Sequence, residues 1–188
     1  SKFRNAGQTC VCANRFLIQS SIYQEFTEKF VEETKKLIVG NGVDENVSIG
    51  PLINTAAVQN IHAMVIDAEE NGAKRLLGGI SARLGPRFYL PTILTDVTPT
   101  MRLFKEEIFG PVATIIPFDT EEQALELANS TEAGLASYLY TQNYSRIWRF
   151  SERLENGIVG INEGIISTEV APFGGIKQSG NGREGSKY

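Results

Sequence analysis

Two cysteines separated by a single valine, Cys10 and Cys12, are the only thiols of the 188-residue chain and lie in the stretch FRNAGQTCVCANR. Three chemistries suit such a pair: a disulfide, half of a metal site, or a nucleophile with a neighbour. On an extended backbone the two side chains would share a side with Cα atoms roughly 6.5 to 7 Å apart, so a bond between them would be strained and easily reduced. A zinc site needs about four ligands, and beyond the thiols the chain offers one histidine, His62. No metal is expected. The nucleophile reading fits the context, because NAGQT is a small, polar, flexible run whose backbone N–H groups can face a sulfur and stabilise its thiolate. The competing reading is inert packing, since free cysteine is among the most buried residue types.

The elements that must hold this segment are legible in the periodicity. RFLIQ, residues 15–19, reads as a strand directly after the cysteines. Ser21 with Gln24 forms a capping box for a helix carrying Ile22, Phe26, Phe30 and Leu37 on one face, ended by Gly40. Asn54 or Thr55 caps a second helix with Val58, Ile61, Val65 and Ala68 at helical spacing, stopping at Gly72; His62 sits mid-helix as a surface or hydrogen-bonded imidazole. Another βα pair is expected next. VATIIPF, residues 112–118, has the continuous apolar pattern of a central strand buried on both faces. Thr120 with Gln123 opens a helix to about Asn129, and ASYLYT and GIVGIN read as strands flanking a helix from about Tyr144 to Glu155. From Glu163 onward a Gly- and Ser-dense run is expected to be loop around one helix start. The alternation implies an α/β fold with a mostly parallel sheet flanked by helices, in one domain.

Composition narrows the function classes. With 41% hydrophobic residues the chain can enclose a core without staples. A net charge of -4 and a pI near 5.2 give no electrostatic reason to expect nucleic acid or an anionic membrane. No apolar run reaches the roughly 20 residues of a membrane helix, and no basic-then-apolar order opens the chain. A reducing compartment is expected: cytoplasmic, or the mitochondrial matrix in a eukaryote. The chain opens without methionine and stops at GREGSKY, as a piece of a longer protein would.

Two further segments carry chemistry: KEEIFGPV, residues 105–112, and PFGGIKQSGNGREG, residues 172–185. Taken singly, the first is a helix end entering a turn and the second a Gly-rich turn. Together with NAGQTC, in this order and at about this spacing, they resemble the catalytic half of the aldehyde dehydrogenase superfamily over the whole chain. SKFRN, CVC and NEG followed by IS are similar to its succinate-semialdehyde branch. The resemblance implies that Cys10 attacks an aldehyde carbon to give a thiohemiacetal, that hydride leaves to the nicotinamide of NAD or NADP, and that a thioester is then hydrolysed. It implies cofactor contacts from Glu107, on the nicotinamide ribose, and Phe109, beside the ring. Glu106 is expected to be a solvated surface charge. It assigns Arg4 and Ser167 to the far carboxylate of the substrate, Phe173 to the substrate tunnel, Glu184 to proton relay, and Cys12 to a reversible redox partnership with Cys10. Glu184 would otherwise be an acid in the first turn of a helix.

On this resemblance, residues 1–188 are the cysteine-bearing catalytic domain. The dinucleotide-binding half, the base that activates water, the oxyanion-hole asparagine and a C-terminal tail would lie outside it, so the chain alone is expected to bind cofactor poorly and not to turn over. The whole protein would be a homo-oligomer, a dimer or tetramer. Glutarate semialdehyde or a simpler aldehyde is the alternative substrate. Two other classes compete: a thiol acyl transferase or hydrolase, poorly served by one helical histidine, and a non-catalytic α/β interaction domain with both cysteines buried.

Overall fold

Strand formation begins directly after the cysteine segment. The computed structural model describes residues 1–188, which pack as two compact units: one of Lys2–Asp119 and one of Thr120–Tyr188 with Ser1. In the first, Arg15–Gln19 forms β1, Tyr23–Lys35 α1, Thr55–Glu70 α2, Lys74–Leu77 β2, Thr92–Thr95 β3, Arg102–Lys105 α3 and Val112–Phe118 β4. The sheet order is β1-β4-β3-β2. β4 pairs in parallel with β1 (Arg15 opposite Thr114) and with β3 (Thr92 opposite Val112). Its residues from Val112 to Ile116 are buried, as the apolar run predicts for a central strand. Pro117, which cannot donate to a ladder, falls beyond the last residue paired with β3. α2 starts at Asn54, whose side chain accepts from the Ala57 N–H, and buries Val58, Ile61, Met64, Val65 and Ala68.

Three local expectations fail here. The Ser21–Gln24 capping box does not form: Ser20–Ile22 makes a 3-10 turn and α1 begins at Tyr23 with no side-chain cap. Ser20 spends its hydroxyl on the Phe118 carbonyl (3.0 Å), and Gln24 reaches forward to Glu28 (3.0 Å) instead of back. Ile22, outside the helix, is 52% exposed. α1 also ends at Lys35, well before Gly40, because the chain turns into a bridge between Val39 and Ile49. No βα pair follows Gly72: β2 runs antiparallel to β3 with a bulge between Arg75 and Leu77, since the intervening GGISARLGPRFYLP has no helical period.

In the second unit, Glu121–Asn129 forms α4, Ala133–Gly134 β5, Ala136–Leu139 β6, Tyr144–Arg153 α5, Ile158–Ile161 β7 and Ile176–Lys177 β8. β6 and β7 pair in parallel around α5, as expected. Thr120 caps α4 by accepting from the Gln123 N–H (3.2 Å). Glu121 bridges the two helices, accepting from Arg146 at 2.6 Å and Arg149 at 2.7 Å. The helix start expected after Glu163 is absent; that region is loop except for β8, paired antiparallel with β5.

Candidate functional site

The cysteine segment is held at several points, by aromatic packing, a glycine contact and short polar side chains. Phe3 stacks on Phe30 of α1, which also meets Phe26 and Phe16, so the segment is anchored on an aromatic cluster. Arg4–Gly7 then makes a 3-10 turn in which Asn5, Ala6 and Gly7 all take left-handed angles, with φ of 50°, 55° and 76°. Such angles disfavour side chains; Asn5 offsets the cost by donating to the Gln8 carbonyl (3.2 Å), and Ala6 is locked by burial at 1% exposure. Gly7 is required on two counts, because a Cβ there would also collide with the Gly110 carbonyl. That contact seats the cysteine segment directly on the EIFGP segment.

Two side chains unremarked in the sequence complete the frame. Gln8 accepts from the Ile53 N–H (2.8 Å) and donates to the Pro51 carbonyl (3.4 Å). Asn14 accepts from the Ile108 N–H and donates to the Glu106 carbonyl, both at 3.4 Å. Each uses both ends of its amide on backbone, a role that type and spacing do not reveal.

Cys10 and Cys12 lie in a tight turn closed by the Cys12 N–H on the Thr9 carbonyl (2.9 Å), so the extended spacing expected between them does not apply. Both thiols are free and Cys10 is exposed. The Cys10 N–H has no acceptor in the chain. Cys12 is half-buried; its Sγ lies 2.8 Å from the Thr9 hydroxyl and donates to the Arg4 carbonyl at 3.7 Å. Burial of both thiols, which the interaction-domain reading needs, is not found. Arg4 itself is solvent-exposed.

In the facing segment, Ile108 is buried while Glu107 and Phe109 on either side are exposed, Phe109 at 44% with φ of 49°. Partial burial raises the Glu107 carboxyl above its usual range, with Lys2 opposing. Glu106 is an exposed surface charge, as expected, and takes two hydrogen bonds from Arg102, at 2.8 and 3.0 Å, which hold its carboxyl below the usual range. His62 Nδ1 is 3.3 Å from the Tyr89 hydroxyl, a satisfied imidazole. Lys2, which no sequence signal marks, is buried beside this site; burial pulls its ammonium down to about 8, against the fields of Cys12 and Glu107. A cleft of about 550 Å³ between the end of α1 and the 77–91 connection includes none of these residues.

The remaining predicted residues, Ser167, Phe173 and Glu184, belong to the second unit. Phe173 and Glu184 are brought together by reciprocal backbone hydrogen bonds of 2.8 and 2.9 Å. Glu184 therefore sits in an extended bridge and not in the first turn of a helix, and its side chain is exposed. Gly157 allows the Gly174 carbonyl to approach closely, as a Cβ there would clash with it. Ser167 is exposed in a loop that begins at Asn162, whose side chain pairs with both backbone groups of Thr141 at 2.9 Å. Glu163 accepts from the Gly164 and Ile165 N–H groups, which lower its carboxyl.

The site fits a nicotinamide dinucleotide as far as its own residues go. Glu107 is an exposed carboxyl with no hydrogen-bond partner in the chain, and Phe109 presents a half-exposed ring fixed by its backbone.

The sequence model of the aldehyde dehydrogenase family matches residues 1–188. The chain is 58% identical over its full length to the mitochondrial succinate-semialdehyde dehydrogenase of Oryza sativa and 52% identical to the succinate semialdehyde dehydrogenase of Acinetobacter baylyi. It spans 36% and 39% of those proteins respectively. Among solved structures, succinate-semialdehyde dehydrogenase from Burkholderia pseudomallei superposes with a TM-score of 0.97 at 52% identity, over 99% of this chain and 39% of that one. Betaine aldehyde dehydrogenase from Staphylococcus aureus, solved with NAD+, gives 0.93 at 36% identity over 97% and 37%. A family model that takes in the cysteine turn, the EIFGP segment and the PFGG bridge together leaves one conclusion: the chain belongs to the aldehyde dehydrogenase family.

Proposed function

We propose that this chain is the cysteine-bearing part of a nicotinamide-dependent aldehyde dehydrogenase that oxidises succinate semialdehyde to succinate. The observation that carries the reading is the exposed Cys10, with an unengaged N–H, on a turn seated against the Glu107–Phe109 segment. The Cys10 thiolate forms a C–S bond to the aldehyde carbon, and its own N–H donates to the oxygen as negative charge develops there. A bound nicotinamide dinucleotide supplies the hydride acceptor. Water then cleaves the Cys10 thioester, releasing carboxylate and restoring the thiol. Glu107 would hold the group by accepting from its ribose hydroxyls, and Phe109 would border its ring.

Arg4 is the proposed ligand of the distal carboxylate, since a guanidinium binds carboxylate through two parallel hydrogen bonds. Ser167 adds a hydroxyl donor, Phe173 an apolar wall and Glu184 a proton-carrying group. The names of the relatives support NAD or NADP as cofactor; the proposed compartment is the cytoplasm, or the mitochondrial matrix in a eukaryote, some relatives being named mitochondrial; no helix is long and apolar enough to cross a membrane. A dimer or tetramer is proposed for the whole protein, supported by the exposed Tyr144 and Trp148 on α5.

The test compares kcat/KM for succinate semialdehyde and butyraldehyde in the full-length protein. A preference of about a hundredfold or more that collapses in Arg4→Ala is expected. Equal rates on the two aldehydes would remove the semialdehyde assignment, and no turnover of either would remove the dehydrogenase reading.

A further inference from the structure

Lys2 is a buried charge that the chemistry above leaves unused. Its side chain is 3% exposed, and its Nζ is one of three buried side-chain nitrogen or oxygen atoms without a hydrogen-bond partner. An ammonium taken from water without a partner is among the costliest placements a side chain can have. The charges of two titratable groups, Cys12 and Glu107, act on it. Glu107 in turn feels one opposing charge, that of Lys2. The two segments that carry them are fastened together by the contact of Gly7 with Gly110 and by the Asn14 amide, so the placement is fixed by backbone.

We propose that Lys2 is a positioning residue for cofactor binding: its buried ammonium serves Glu107 as a counter-charge and keeps that side chain an acceptor for the ribose hydroxyls of a nicotinamide dinucleotide. The inference rests on the role given to Glu107 above. An ionised carboxylate accepts from two hydroxyls at once, whereas a protonated one presents an O–H and loses part of that capacity. Partial burial drives Glu107 toward the protonated form, and Lys2 acts the other way. Because burial brings the Lys2 ammonium down to about 8, its charge is present through neutral pH and fades above it.

The experiment is the dinucleotide Kd of the full-length protein, read by protein fluorescence quenching from pH 5 to 9, in wild type, Lys2→Met and Glu107→Gln. In wild type, binding weakens as pH falls through the Glu107 titration. In Lys2→Met that weakening sets in at a higher pH, so Kd rises severalfold where wild type still binds, and the two proteins converge by pH 9. Lys2→Met made in the Glu107→Gln background changes nothing further. Superimposable pH profiles for wild type and Lys2→Met overturn the proposal while leaving Glu107 its role. An unchanged Kd in Glu107→Gln alone overturns the role of Glu107 and with it the proposal. If Lys2→Met does not fold, Lys2→Gln is read in the same way.

Discussion

At the scale of single residues, the strongest constraint falls on Gly7 and not on a chemically active side chain. Its φ of 76° and its contact with the Gly110 carbonyl both exclude a Cβ. Gly7→Ala should cost more than about 1 kcal/mol and displace the Cys10 turn. Thermal unfolding together with the rate of thiol labelling reads both effects, and an unchanged labelling rate would show that the turn does not depend on this contact. Cys12 is held by the Thr9 hydroxyl and the Arg4 carbonyl beside the exposed Cys10, and we propose the reversible redox partnership that the family resemblance implies. Peroxide inactivation of the full-length protein should be reversed by dithiothreitol. Cys12→Ala should lose that reversal, because Cys10 then oxidises beyond rescue; the same recovery in the variant would discard the idea.

At the scale of elements, α4 and α5 are joined by charge. Arg146 and Arg149 donate to Glu121 and hold its carboxyl below the usual value of 4.5. A carboxyl depressed in the folded state stabilises above its unfolded value, and that stability is lost as pH falls through the folded one. Glu121→Gln should therefore lower stability at pH 7 by about 1 kcal/mol, a surface network being worth little more. The difference between wild type and variant should close as pH falls below 4.5 and through the folded-state titration of Glu121. A gap that persisted once the carboxyl is protonated would mean that the side chain acts by packing.

At the scale of the whole molecule, the chain covers little more than a third of the relatives it matches, so the tests of activity belong to the full-length protein. Much of the fold was legible in sequence. VATIIPF declared a buried central strand, Asn54 and Thr120 declared helix starts, and the β6–α5–β7 unit was readable, since each depends on local periodicity or on one side chain reaching its own backbone. Where polar side chains had distant alternatives, local reading failed. The expected cap of Ser21 with Gln24 did not form, Gln24 reaching Glu28 instead, and Glu184 is held in a bridge with Phe173 where a helix start was expected. By itself the sequence determined the chemical types and order of the family's segments, because a thiol after GQT, a carboxylate before IFGP and glycines after PF are matters of residue type and spacing. Only the tertiary structure decided that Gly7 seats the cysteine turn on Gly110, that Gln8 and Asn14 frame it, and that Lys2 is buried within reach of the Glu107 charge. Those facts depend on contacts between residues some 40 to 105 positions apart, and desolvation and close packing act on neighbours in space, whatever their separation along the chain.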